Sequence, residues 1–100
     1  MLIRLLIASA HPIVRTALGR LLNVVRDFEV VAETDLSDLV KAAQGVSPDV
    51  FLVELTESGL VGLRVIAALM RAVPDAPVAI LSSNENASYV RSMLAMGVRA

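Results

Sequence analysis

The chain has 100 residues, a net charge of −1 and no cysteine, which predicts one small domain without disulfide bonds or thiolate metal sites. Its nine Lys and Arg residues are dispersed and only 3% of its residues are aromatic, so no direct contact with nucleic acid is predicted. Hydrophobic residues make up 56% of the chain, but no apolar run reaches the ~20 residues that span a membrane, and the start predicts no signal peptide.

The first half of the chain alternates between strand-like and helix-like segments. Residues 2–8 form an apolar run that predicts a first strand, and Pro12 then suits the first turn of a helix. Apolar residues at helical spacing extend this helix to about Val25. Residues 28–33 partly alternate, which predicts an edge strand, and a short helix follows with Ser37 as its predicted N-cap.

The third predicted strand, residues 49–54, contains four consecutive apolar residues that run into the single carboxylate of Glu54. A strand that is apolar on both faces is typical of the middle of a parallel sheet covered by helices. Ligands of open α/β sheets collect just outside the carboxyl ends of the strands. Because Glu54 is predicted at such an end, the interpretation of function depends on what Glu54 can do.

The second half of the chain continues the same alternation. The sequence predicts a largely covered helix at 60–73, a strand at 78–81, a polar loop at 82–86 and a helix ended by Gly97. The last three residues, 98–100, are predicted to begin a fifth strand. Strands and helices that alternate with short connections predict one parallel sheet with helices on both faces, joined by right-handed crossovers.

Several short motifs occur along the chain at spacings that need no large gaps. In chain order they are Leu6-Ile7-Ala8-x-x-His11-Pro12, Val14-Arg15, Val30-Val31-Ala32-Glu33, Pro48-Asp49-Val50-x-Leu52, Gly62-Leu63, the strand from Val78 to Ser82, Tyr89-Val90 and Gly97. Together they resemble the receiver domain of two-component response regulators, of the NarL/LuxR type, over essentially all of residues 1–100. The resemblance implies a flavodoxin-like sheet in the order 2-1-3-4-5, with its site between strands one and three. It also implies that the fifth strand and helix are missing or incomplete here.

The residues that carry the chemistry of the family are altered in this chain. Active receivers have two Asp residues after strand one, where this chain has Ser9 and Ala10. They accept a phosphoryl group on an Asp after strand three, where this chain has Glu54, whereas Ser82 matches the hydroxyl residue after strand four. The family's Lys after strand five lies beyond residue 100. The resemblance therefore implies a degenerate receiver, or pseudo-receiver.

Mg²⁺ supports phosphoryl transfer in this family, and it needs hard oxygen ligands that usually include one or two carboxylates besides water. Ser9 offers a neutral hydroxyl, Ala10 offers no ligand and only the carboxylate of Glu54 remains. We therefore expect that Mg²⁺ binding is lost, that no other cofactor or metal is bound, and that the domain is not an enzyme.

Two interpretations of Glu54 stay open. Its longer side chain either mimics a phosphorylated Asp and holds Ser82, or is a leftover carboxylate at a solvated strand end. The second is favoured, because one Glu lacks the charge of about −2 and the three acceptor oxygens of a phosphate. Ser9 and Ser82 are expected to satisfy backbone groups at strand ends, and His11 is expected to mark a helix start, since no second His or Lys stands nearby as a base.

Two other features have alternative roles. Gly59 and Gly62 match no phosphate-binding loop, so turn and packing roles are expected. The cluster of Met93, Leu94 and Met96 predicts either a partner-binding face or ordinary packing of a helix on the sheet.

The resemblance implies a regulatory module in the cytoplasm. NarL/LuxR-type receivers are usually followed by a helix-turn-helix DNA-binding domain, which residues 1–100 do not contain. We expect a phosphorylation-independent regulatory domain of a bacterial transcriptional regulator, acting by protein contact as a homodimer. In a longer natural chain its further partner would be the helix-turn-helix domain. The alternatives are a small-molecule sensor with its pocket at Ser9, Ala10, Glu54 and Ser82, and a stand-alone interaction module.

An incomplete fifth strand and helix has a predicted structural consequence. Strand four would be an open edge with unpaired backbone groups, and the face of the first helix that a fifth helix would meet would lie open.

Overall fold

Four parallel strands form one sheet in the order β2-β1-β3-β4 in the computed structural model of the chain. The elements in chain order are β1 (Ile3–Ser9), α1 (Pro12–Asn23), β2 (Phe28–Thr34), α2 (Leu39–Gly45), β3 (Val50–Leu55), α3 (Leu60–Ala72), β4 (Val78–Ser82) and α4 (Ala87–Ala95). The predicted α/β fold and strand order are thereby confirmed. The structure describes residues 1–56, 60–83 and 86–100, so Gly59 and the centre of the predicted polar loop lie outside the described residues.

The order of the strands decides which face each helix covers. The chain moves from β1 outward to β2 and then back across β1 to β3. Right-handed crossovers therefore place α1 on one face of the sheet and α2 and α3 on the other. The main core lies on the second face, where the inward side chains of β1 and β3 meet α2, α3 and α4. Its most deeply buried members include Leu6, Phe51, Val53, Ile66 and Leu69.

The face of α1 that points away from the sheet is apolar and uncovered. Ile13, Leu21 and Val24 are all largely exposed to solvent along it. The prediction of an open face toward a fifth helix stays a prediction, because the described residues contain no fifth helix that identifies that face. In the part of the chain that the structure describes, no helix has the length and apolar character needed to cross a bilayer.

The open edge of β4 is shorter than predicted. The backbone N–H of Arg99 donates to the carbonyl of Val78 at 2.9 Å, and the N–H of Ile80 donates to the carbonyl of Ala100 at 2.8 Å. Residues 98–100 therefore run beside the first half of β4, as the predicted beginning of a fifth strand requires. The prediction that β4 lacks a neighbour is wrong for this half of the strand, because three residues are enough to satisfy its backbone groups.

The start of α2 differs from the prediction. Its N-cap is Asp38 rather than Ser37, and it begins at Leu39. The hydroxyl of Ser37 and the backbone N–H of Asp38 both donate to Oδ1 of Asp35, each at 2.9 Å. The N–H of Asp38, and then the hydroxyl of Ser37, lower the pKa of Asp35 below its ordinary value. Ser37 is thus part of a turn organised by Asp35.

Gly62 has a packing role at the contact between α3 and α4. A Cβ atom at Gly62 would overlap the hydroxyl oxygen of Tyr89, a buried residue of α4. This hydroxyl has no hydrogen-bond partner among the described residues, and burial raises the pKa of Tyr89. Met93 is also buried on the sheet, whereas Leu94 is exposed, so the Met93–Met96 segment is only partly packing surface.

The close approach of Gly62 and Tyr89 predicts that Gly62→Ala destabilises the fold. Overpacking of this kind costs about 1–3 kcal/mol, to be measured as the free energy of unfolding in a denaturant titration. Gly45→Ala is the matched control, because nothing lies within 4 Å of a Cβ at Gly45. A similar loss in both variants would show that the contact with Tyr89 is not the cause.

Candidate functional site

The neighbouring strands β1 and β3 bring two of the predicted site residues into contact. Ser9 is the last residue of β1 and lies opposite Glu54 of β3 in the strand register. Ser9 is fully buried and Glu54 is only 9% exposed. The expectation that Glu54 stands at a solvated strand end is therefore wrong, because its carboxylate is buried beside β1. The hydroxyl of Ser9 donates to Oε1 of Glu54 at 2.7 Å. A short hydrogen bond to a carboxylate is among the stronger kinds in proteins, so this bond links the carboxyl ends of the two strands.

His11 also lies at this edge of the sheet. Its backbone is extended, as the residue before Pro12 requires, and its N–H donates to the hydroxyl oxygen of Ser9 at 3.0 Å. Its role at the helix start is confirmed, because His11 is the N-cap residue of α1. Sequence reasoning missed that Nδ1 of its half-exposed imidazole lies 3.6 Å from Oε1 of Glu54. Only the pairing of β1 with β3 reveals this contact.

Arg15 places a positive charge next to the same group of residues. It lies one turn into α1, and its Nη1 donates to the backbone carbonyl of Ser9 at 2.8 Å. Its charge is also one of the smaller causes that lower the pKa of Asp35, which follows β2. Sequence analysis placed Arg15 in a motif but gave it no role. The sequence did contain a signal for this contact. Arg15 stands four residues after His11, and this spacing places its side chain back toward the start of the helix.

The two remaining predicted site residues are less closely involved. Ala10 is exposed, and its methyl group offers no ligand atom. In the register of β3 and β4, Glu54 lies opposite Leu81. Ser82 is one residue further along and lies opposite Leu55. The structure therefore brings Ser9, His11 and Glu54 together, and the carboxylate of Glu54 is turned toward β1 by its hydrogen bond to Ser9. The prediction that Ser9 satisfies a backbone group is confirmed by the N–H of His11, but its stronger contact is with Glu54.

Both a protein family and individual proteins match the sequence of this chain. A model of the response regulator receiver domain matches residues 5–100. The response regulator GacA of Pseudomonas aeruginosa is 29% identical over 97 residues, which are 96% of this chain and 45% of GacA. The chain therefore spans less than half the length of this relative.

Solved structures resemble the fold closely. A two-component response regulator of the LuxR family from Aurantimonas sp. superposes with a TM-score of 0.85 at 22% identity, covering 98% of this chain and 71% of that one. A DNA-binding response regulator of the LuxR family from Staphylococcus aureus superposes with a TM-score of 0.80 at 26% identity. The superposition covers 97% of this chain and 82% of that one.

The bond between Ser9 and Glu54 predicts a stability loss in Ser9→Ala. A buried carboxylate that loses its hydrogen-bond donor is expected to cost about 2 kcal/mol in the free energy of unfolding. Ser83→Ala, at an exposed position just after β4, is the matched control and should change it by no more than about 0.5 kcal/mol. Equal values for the two variants in denaturant titrations would contradict a stabilising role for the bond.

Proposed function

The chain belongs to the response regulator receiver domain family, and from that membership we propose that it is a receiver-like domain that regulates transcription without being phosphorylated. It acts by protein contact in a bacterial regulator of the LuxR/NarL type, and it has no enzymatic activity. Receivers of this family lie in the cytoplasm, and we assign this domain to the same compartment.

The observation that carries the proposal is the hydrogen bond between Ser9 and Glu54. Phosphoryl transfer to a carboxylate brings negative oxygens together, so it depends on a Mg²⁺ ion that bridges the acceptor and the phosphoryl group. Here Glu54, at the position of the acceptor, accepts the Ser9 hydroxyl at 2.7 Å. Ser9 and Ala10 replace the carboxylates that would hold the ion.

The donor set at this edge of the sheet does not suit Mg²⁺. The ion favours an octahedral set of oxygens with one or two carboxylates, and Glu54 already shares Oε1 with the hydroxyl of Ser9 and lies beside His11. Among the described residues, no group of three His, Cys, Asp or Glu side chains could hold a metal ion. Each tenfold loss of Mg²⁺ affinity corresponds to about 1.4 kcal/mol of binding free energy. We expect that the absence of two carboxylate ligands lowers the binding free energy by more than this amount.

The same hydrogen bond argues against Glu54 as a permanent mimic of phosphate. A mimic would have to engage Ser82 on β4, but the carboxylate is directed to Ser9 on β1. It also carries one negative charge, against about two for a phosphate. We therefore propose that Glu54 has a structural role at this site.

The relatives support a DNA-binding partner domain in the natural protein. The similar protein from Staphylococcus aureus is a DNA-binding response regulator, and this chain spans 45% of GacA. We propose that the natural protein continues into a helix-turn-helix domain, that the receiver-like part forms a homodimer, and that DNA contact is made outside residues 1–100. A small-molecule sensor is the weaker alternative, because Ser9 is fully buried and Glu54 nearly so.

The first prediction of this proposal concerns metal and phosphate analogues. The wild-type chain is expected to show no saturable Mg²⁺ binding in a calorimetric titration and no adduct with beryllofluoride or acetyl phosphate, because the carboxylate set is incomplete. The variant Ser9→Asp/Ala10→Asp/Glu54→Asp restores three carboxylates at the edge of the sheet and is expected to bind Mg²⁺. Gln44→Asp/Ser92→Asp adds two carboxylates at exposed helix positions away from the carboxyl ends of the strands and controls for charge alone. A wild-type adduct detected by mass or by NMR would refute the proposal.

The second prediction separates the two interpretations of Glu54. In Glu54→Gln the side-chain amide oxygen still accepts the Ser9 hydroxyl, while the negative charge is lost. The oligomeric state, measured by sedimentation velocity, is therefore expected to stay unchanged. A shift in that state would mean that the charge holds the domain in an active form, which is the mimic interpretation.

A further inference from the structure

The charges of this chain are divided sharply between its helices and the rest of the fold. None of the four helices contains an Asp or Glu residue. Six of the nine basic residues lie in these helices, namely Arg15, Arg20, Lys41, Arg64, Arg71 and Arg91. The eight acidic residues that the structure describes all stand outside the four helices, in strands and connecting segments. The charged side chains of the four helices are therefore all basic, although apolar residues are exposed on the helices as well.

Two of these basic residues lie on α3, the middle helix of its layer. α3 contacts both α2 and α4, and it buries Gly62, Ile66 and Leu69 against the core. Arg64 and Arg71 are exposed on the side away from the core. Because they are seven residues apart, they lie on the same side of the helix, about 10 Å apart along its axis.

Neither arginine has an acidic partner within the described part of the chain. Within that part of the chain, the one contact within 4 Å between a basic side chain and a carboxylate joins His11 to Glu54. Asp75, which follows α3 in the next turn, is not within that distance of either arginine. The flanking helices add the cations Lys41 and Arg91 rather than carboxylates.

The outer face of α3 also has a shape that suits another helix. Leu60 is 60% exposed and Val61 is 52% exposed at its first turn. Ala67 and Ala68 lie between the two arginines, and side chains this small let a second helix axis approach to about 8 Å. We name the surface formed by Leu60, Val61, Arg64, Ala68 and Arg71 the α3 face.

We propose that the α3 face binds an acidic amphipathic helix of another protein, with carboxylates placed against Arg64 and Arg71. A second copy of this chain does not fit as well, because its four helices carry no carboxylate. A membrane surface fits less well too, since the exposed large apolar residues of the α3 face are confined to its first turn. This inference rests on the proposed mode of action by protein contact and names the chemistry of the partner.

The test uses a helical peptide of about 21 residues with Leu at its apolar positions and Glu at flanking positions seven residues apart. A control peptide carries Lys in place of each Glu. Fluorescence anisotropy is expected to show that the wild-type chain binds the Glu peptide at least about tenfold more tightly than the Lys peptide, with the preference falling as salt is added. The variant Arg64→Glu/Arg71→Glu is expected to reverse the preference.

Arg20→Glu/Arg26→Glu is the matched control, because it changes the net charge equally at exposed positions away from the α3 face. Circular dichroism checks that every variant is folded. Equal affinity of the wild type for the two peptides, or the same reversal in the control variant, would overturn the proposal. So would binding of the wild type to vesicles containing about 30% phosphatidylserine that is lost in Arg64→Glu/Arg71→Glu, since this would identify a membrane surface. None of these outcomes bears on Mg²⁺ or phosphate analogues, whose binding tests the proposed function separately.

Discussion

The hydrogen bond between Ser9 and Glu54 is the interaction on which this account depends. It joins the ends of β1 and β3 at 2.7 Å, at the edge of the sheet where receivers hold their metal ion and phosphoryl group. A buried carboxylate needs a donor or an opposite charge to remain buried. Glu54 obtains a donor from Ser9 and has the imidazole of His11 beside it, so the protein itself supplies close contacts to this buried carboxylate.

The fold brings these residues together through its topology. The reversal of strand order after β2 places β1 next to β3, so residues that are 45 positions apart in sequence become direct neighbours. Pro12 then starts α1 immediately beyond this edge, which holds the N–H of His11 on Ser9. One turn later Arg15 returns to the carbonyl of Ser9. Ser9 is thus the centre of a compact set of internal contacts at this edge of the sheet.

Much of the fold was predictable from sequence because its signals are local. The apolar run of β3 and the helical spacing of α1 and α3 predicted the elements to within two residues, and the alternation of strands and helices predicted the parallel sheet. The contact of His11 with Glu54 was not predictable from the chain alone, because it depends on strand register. The assignment of Ser37 as the N-cap of α2 was wrong because it also depended on geometry that the sequence does not show. Several nearby polar residues could form that turn, and only the geometry identifies Asp35 as the acceptor.

The proposed structural role of Glu54 implies that its carboxylate is satisfied by Ser9 and does not bind a divalent cation. A crystal structure of the chain soaked in Mn²⁺, which replaces Mg²⁺ and gives an anomalous signal, tests it most directly. The Ser9 hydroxyl is expected to stay within hydrogen-bond distance of Glu54, and no anomalous peak is expected beside the carboxylate. A Mn²⁺ ion coordinated by Glu54, with the hydroxyl of Ser9 turned away from it, would contradict the account.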